Sequence, residues 1–294
     1  MAAAAGAMLW NLQPLLDVLH RTGQHLAGLG ELQWRSASGD WQAIAPADDA
    51  RLTWSAETAF LRPEWTQIAP GLETAEIGLA RPPHPQTVPL FIVRLHPERW
   101  HLRTVGYPDW AEHSLPEFAE KWKFTLAVNA SFFSSEGPIG LVIQDGVVRH
   151  RQASRKASHF LIDTPGGRIR IVNQKMTEIA GVNSGFQGFP AMMSHGRLYS
   201  YVASGGRGFD VFTVDRRTAA CTDRDDRLLL MVTDTLTNGL SFAELGTIMG
   251  GLGCTDGMAF DGGSSTALEL RVPGHERHIA GLKPVQVVLG IEPI

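Results

Sequence analysis

Cysteine is nearly absent from this 294-residue chain, which has two, Cys221 and Cys254. That is too few for a disulfide-stapled scaffold or a four-cysteine zinc site. Two cysteines allow one bridge or two buried thiols, and the sequence leaves both readings open. Long apolar runs are missing as well. No stretch of about 18 uninterrupted apolar residues occurs, which argues against a membrane-spanning helix. Charge is sparse and mixed: 26 basic and 30 acidic residues give a net charge of −4, without blocks of one sign. A nucleic-acid groove or a polybasic membrane surface therefore has no compositional basis. Glycine-rich phosphate loops, a GxSxG elbow and an HExxH helix are not found. The 11 histidines form no ligand pattern, and His275-Glu-Arg-His278 reads as a surface pair in a Pro/Gly loop.

What is present is a globular composition, 44% hydrophobic and 19% charged, with 31 glycines and 17 prolines that suit many turns and short strands. The length fits one large domain or a domain with an N-terminal extension. Leu12, Leu15, Leu16, Leu19 and Leu26 recur at near-helical spacing and predict an amphipathic helix over 11–29. Residues 1–16 hold an alanine run, but the first basic residue is Arg21, so no export signal is readable. Either the chain is not exported, or a native signal was removed and a start methionine added. Trp34, Trp41, Trp54 and Trp65 punctuate residues 31–69, as an accessory hairpin layer or a sugar-stacking strip, with core packing expected for most of them.

From about residue 66 the pattern turns regular. Leu90–Leu95 and Phe124–Ala130 read as strands. Ser114-Leu-Pro-Glu117 is a capping box opening a helix to about Lys121. Leu141–His150 reads as a hairpin around Asp145-Gly146, and Phe160–Val172 as another around Pro165-Gly166-Gly167. Leu228–Asp234 is a continuous apolar run ending in a carboxylate. Ser241-Phe-Ala-Glu244 is a second capping box, with Gly253 placed to end its helix. Gly257–Asp261 and Val285–Ile291 read as further strands. These elements predict a mixed α+β fold: largely antiparallel twisted sheet with a few flanking helices and a β-α-β crossover at 228–261.

Chemistry concentrates at three places. Asp261-Gly262-Gly263-Ser264-Ser265 puts a carboxylate ahead of a turn whose glycines let a ligand approach the backbone. Asn129-Ala-Ser131-Phe132-Phe133 sets an amide and a hydroxyl beside two aromatics, the mixture a sugar site uses. Asp215-Arg216-Arg217-Thr218 offers guanidinium forks for phosphate or carboxylate oxygens. The plainer readings are an Asp-capped turn, a strand end over core phenylalanines, and a surface ion pair. Glu136, in a loop just past Asn129, and Asp234, at its strand end, are further candidate acids. Glu244 is accounted for by its capping box, and Glu269 reads as a solvated strand face.

Taken in order, these segments resemble the phosphodiester glycosidase family. The resemblance runs from Trp65-Thr-Gln-Ile-Ala-Pro-Gly71 through Asn129-Ala-Ser-Phe-Phe133, Gly188-Phe-Pro190 and Arg217-Thr-Ala219 to Phe260-Asp-Gly-Gly-Ser-Ser265. Ala130 and Ser131 stand where the family usually has glycines, which narrows a pocket. The resemblance implies a catalytic domain over 65–294 behind an extension over 1–64. It also implies hydrolysis at an anomeric carbon, on a sugar-1-phosphodiester or an envelope or exopolysaccharide glycan. Asp261 would stabilise an oxocarbenium-like state. Arg217 and the amides of Gly262 and Gly263 would meet a phosphate leaving group. With a sugar-alcohol leaving group, Glu136 or Asp234 would serve as the acid. Asn129, Ser131, Phe132, Thr218, Ser264 and Ser265 complete the expected carbohydrate site. An endo-acting glycosidase on a polymer such as peptidoglycan, and a non-catalytic glycan-binding envelope protein, are the alternatives. No metal is called for by ligand spacing, although the carboxylates are compatible with calcium. The resemblance implies a periplasmic or secreted location.

Overall fold

The computed structural model describes residues 31–35, 39–44, 61–83, 86–153, 158–164, 168–173, 180–204 and 210–294. The helix expected over 11–29, Trp54 and the turn at 165–167 lie outside these residues. Within them the protein is built from antiparallel sheets. The largest has ten strands. Its central run is Ala191–Ser194, Cys254–Ala259, Thr218–Asp223, Leu228–Thr233, Thr87–Leu95 and Leu72–Ala80, each hydrogen-bonded to the next. A second sheet of five strands carries Val142–Gln144, Ser184–Gly188 and His159–Thr164. In a third, also of five, Val287–Pro293 lies between Leu126–Asn129 and Trp100–Gly106.

The apolar run at 228–233 is continuous because both faces of its strand are covered. Leu229 and Met231 face a core shared with Leu245, Ile248 and Met249 of the Phe242–Leu252 helix. Leu228, Leu230 and Val232 face a second core, shared with Leu126, Val128, Leu289 and Ile291 of the third sheet and with Leu161 and Phe186 of the second. Each such side chain contributes about 1.5–3 kcal/mol when fully buried. The Leu115–Trp122 helix covers the outer face of the third sheet through Leu115, Phe118 and Ala119, against Ala127 and Val288. The layers therefore run helix, sheet, sheet, helix.

Both capping boxes form. Glu117 accepts the Ser114 N–H at 2.8 Å, and Glu244 accepts the Ser241 N–H at 2.7 Å. Lys123 and Gly253 close the two helices in the left-handed conformation. Asp145 and Gly146, with φ of 51° and 75°, make the hairpin turn joining Val142–Gln144 to Val147–His150. Leu228–Thr233 and Cys254–Ala259, on either side of the Phe242–Leu252 helix, both pair antiparallel with Thr218–Asp223, which lies between them. Cys221 and Cys254 are joined by a disulfide inside the first core.

The tryptophans divide. Trp34 is buried on Gln33–Arg35, a strand that pairs with Trp41–Ala43 and extends the large sheet beyond Leu72–Ala80. Trp65 packs against the first core beneath the Arg94 guanidinium, 3.9 Å from its ring centroid. Trp41 is exposed.

Candidate active site

Three chain segments meet where the large sheet abuts the third sheet, and one side chain ties them together. Asn129 ends the Leu126–Asn129 strand and has no solvent exposure. Its Nδ2 donates to the Asp261 carbonyl at 2.6 Å. Its Oδ1 accepts from Thr218 Oγ1 at 2.6 Å and from the Ala267 N–H at 3.0 Å. The backbone adds an Asp261 N–H to Ala130 carbonyl bond of 3.0 Å and a Phe260 N–H to Thr218 carbonyl bond of 2.9 Å. Asn129 and Thr218, expected at the ligand, are therefore spent behind the Asp261 loop. A strand-end amide can face either way, and here it faces inward.

Arg216 and Arg217 lie on the other side of that loop, and alternation sends their side chains to opposite faces. Arg217 donates through Nε to the Leu240 carbonyl at 2.8 Å and through Nη2 to the Thr213 carbonyl at 2.5 Å. Its guanidinium sits 3.8 Å from the centroid of the Phe242 ring. Arg216 is fully buried and donates through Nη2 to the Ala280 carbonyl at 2.7 Å. Its Nε and Nη1 meet no partner among the described residues. Burial pulls both guanidinium pKa values down to about 10, against the pull of Asp215. Arg217, expected at a ligand, holds backbone carbonyls through Nε and Nη2.

The glycine amides follow the same pattern. Gly262 N–H donates to Asp261 Oδ1 at 3.0 Å, and Gly263 N–H donates to the Arg216 carbonyl at 2.9 Å. Both amides, expected at the ligand, meet acceptors within the protein here. The glycine at 262 serves close packing: a Cβ there would stand 2.9 Å from the Arg216 carbonyl oxygen. Gly239 serves the same end, since a Cβ there would collide with the Asp215 carbonyl at 1.8 Å. That contact lays the 238–240 turn against Asp215, with which Leu240 exchanges two backbone bonds.

What reaches the surface is Asp261 with Gly262, Gly263 and Ser264, all half-buried. Burial raises the Asp261 carboxyl pKa, and the nearby Asp215 carboxylate adds to the rise. Ser265, the Lys283 ammonium and the Gly262 N–H pull it the other way. The Ser264 carbonyl accepts the N–H of Leu282 at 2.8 Å and of Lys283 at 3.2 Å, which holds the Ala280–Lys283 segment over the loop. Lys283 is exposed, with Nζ 4.6 Å from the Phe133 ring centroid.

The remaining expected residues spread out. Ser131 is buried, its hydroxyl donating to the Phe132 carbonyl at 3.0 Å. Phe132 and Phe189 meet edge to face, centroids 6.3 Å apart, and line a small hollow with Ile139, Ser158, Gln187 and Gly188. Ser265 is buried beneath the loop. Glu136 is exposed on the tip joining Phe133–Ser134 to Gly137–Pro138. Asp234 pairs with Arg277, which also binds Glu76 at 3.1 Å. Glu244, beyond its capping role, takes a two-pronged ion pair from the buried Arg81, with both bonds at 2.7 Å. Sequence reasoning missed Asp215 and Lys283 as neighbours of Asp261. Asp215 stands in the Asp-Arg-Arg run but reads there as a counter-ion. Lys283 is a lone lysine in a loop, with no pattern around it. Among the described residues no group of three or more His, Cys, Asp or Glu is arranged to hold a metal. No described helix is long and apolar enough to cross a membrane.

Comparison with known proteins matches this arrangement to a family. The phosphodiester glycosidase family model matches residues 123–292, which span all three segments. Among solved structures, a hypothetical protein from Synechocystis superposes with a TM-score of 0.58 at 15% identity, over 80% of this chain. The chain spans 64% of that protein's length. The catalytic domain of zebrafish N-acetylglucosamine-1-phosphodiester alpha-N-acetylglucosaminidase, solved auto-inhibited by its pro-peptide, superposes with a TM-score of 0.61 at 16% identity. That match covers 76% of this chain and 84% of the zebrafish one. The curated proteins hold no match at the sequence level. Since the family model takes in well over half of the chain, the protein belongs to the phosphodiester glycosidase family.

Proposed function

We propose that this protein hydrolyses a sugar-1-phosphodiester, with Asp261 as the carboxylate that stabilises positive charge at the anomeric carbon. One observation carries the reading: a half-buried carboxylate leading a tight glycine turn, held there by Asn129 and backed by two buried arginines. In the reaction the bond between the anomeric carbon and the phosphate oxygen breaks, and water supplies the new hydroxyl. The transition state is oxocarbenium-like, and an anion beside it lowers its energy. The phosphate departs as a weak base and needs little protonation. It does need nearby positive charge. Arg216 and Arg217 supply a field from below the loop, where low polarisability makes a charge act further than in water. Gly262, Gly263, Ser264 and Ser265 shape the floor. Phe132 and Phe189 supply apolar surface for the sugar. Asn129, Ser131 and Thr218 position the floor. Asp234, committed to Arg277, and Glu136, on an exposed tip, take no part when the leaving group is phosphate.

We assign catalysis to residues 65–294, with 1–64 as an extension whose Trp34 hairpin widens the sheet. An exported location, in an oxidising compartment, is supported by the Cys221–Cys254 bridge.

The test is product analysis by mass spectrometry. The zebrafish neighbour's name makes an N-acetylglucosamine-1-phosphodiester the first substrate to try, beside cell-wall glycans. Asp261→Asn should lower turnover about 100-fold or more. Unchanged turnover in that variant removes Asp261 from the mechanism. Glycan binding without turnover by the unaltered protein replaces the enzyme reading with a binding one.

A further inference from the structure

The site has a gap in its charge arrangement. A departing phosphate needs a cation that it can touch, yet both arginines beneath the loop are buried, and Arg217 is bonded to backbone carbonyls. The two glycine amides are used as well. Among the described residues, the exposed cation set against this loop is Lys283.

Its placement is fixed at the backbone and free at the tip. The Lys283 N–H bonds the Ser264 carbonyl at 3.2 Å, one residue along from a Leu282 bond of 2.8 Å to the same oxygen. The Arg216 guanidinium pins the segment from below through the Ala280 carbonyl at 2.7 Å. Pro284 follows and fixes the backbone beyond it. The ammonium rests 4.6 Å from the Phe133 ring centroid, on the aromatic run that leads out from Asn129. No carboxylate among the described residues forms an ion pair with it. A cation resting on a ring face at an exposed site is held by only about 0.5–1 kcal/mol. An incoming phosphate can therefore draw it away at little cost. The Ser264 carbonyl bond sets the Lys283 backbone against the same short loop that carries Asp261.

Resting on the reading of the reaction given above, we propose that Lys283 is the residue that contacts the phosphate of the leaving group, turning from the Phe133 ring to do so. Arg216 then acts as a positioning residue, fixing the segment that carries it. A compact ammonium on a flexible stem suits a point contact with a phosphate oxygen.

The test compares two substrates in the full chain: the sugar-1-phosphodiester above and the 4-nitrophenyl glycoside of the same sugar, whose leaving group carries no phosphate. Lys283→Met should lower kcat/KM on the phosphodiester by about 10- to 100-fold, as expected for loss of a charged contact. It should leave the nitrophenyl glycoside within about 3-fold. Lys283→Arg should recover most of the loss, and inhibition by inorganic phosphate should weaken in Lys283→Met. Equal losses on both substrates, or no loss on the phosphodiester, would overturn the assignment while leaving the reaction intact. If the unaltered protein cleaves neither substrate, the reading of the reaction falls first and takes this assignment with it.

Discussion

Asp261 is kept half out of water, and the fold carries a cost for that. Its raised pKa means that the native state holds the proton more tightly than the unfolded chain does. As pH rises from the ordinary carboxylate range through the raised native value, the native state loses stability relative to the unfolded one. Above that value the penalty is constant. Asp261→Asn removes it, so the variant should be more stable than the parent at pH 7, with a smaller gain at pH 4. Urea unfolding at the two pH values measures this, and an equal gain at both would contradict it. The protein then trades stability for a charged group at its site, as functional sites often do. At this scale the sequence was half legible. An aspartate ahead of two glycines is a strong local signal, and the structure sets it at the surface. The neighbours were harder to read. Whether Asn129 or Arg217 points at solvent depends on which face of its strand another layer covers, and that layer comes from far along the chain.

The elements that present these residues owe much to one ion pair. Arg81 is 2% exposed, and Glu244 accepts both of its prongs while also capping the Phe242–Leu252 helix. That helix carries Phe242, on which the Arg217 guanidinium lies. Removing the cap alone, by Ser241→Ala, should cost about 1 kcal/mol. Glu244→Ala leaves Arg81 buried without its counter-charge, and should cost roughly 3 kcal/mol or more. Chemical denaturation of the two variants ranks them, and near-equal losses would mean that capping dominates. Both helices were legible because a capping box is a local device with a fixed spacing. The strands with tight turns at 142–150 and the apolar run at 228–233 were legible for the same reason. Thr218–Asp223 was not. Its Ala219-Ala220-Cys221 centre lacks bulk, and small side chains are what fit between a close helix on one face and a second sheet on the other.

For the molecule as a whole, the disulfide is the covalent tie inside the large sheet. Cys221 and Cys254 are 33 residues apart, on adjacent strands. Closing a loop of that length restricts the unfolded chain by about 3–4 kcal/mol in the chain-entropy account. Cys221→Ser with Cys254→Ser should therefore lower the urea midpoint clearly, and reductant should do the same to the parent but not to the double variant. An unchanged midpoint in the double variant would show that packing alone sets the stability. The family was legible from the collinear order of short segments, each weak by itself. The sandwich of sheets was not, because pairing partners so far apart leave no periodic trace.

The Asn129 side chain bonds to residues 89, 132 and 138 positions further along the chain. Such closures come late when a protein assembles, since distant strands must find each other before they are rewarded. An intermediate with every helix formed would still lack the candidate site. During refolding, turnover of the proposed substrate should therefore lag behind the recovery of helical signal, which makes it a stricter report of complete assembly than that signal.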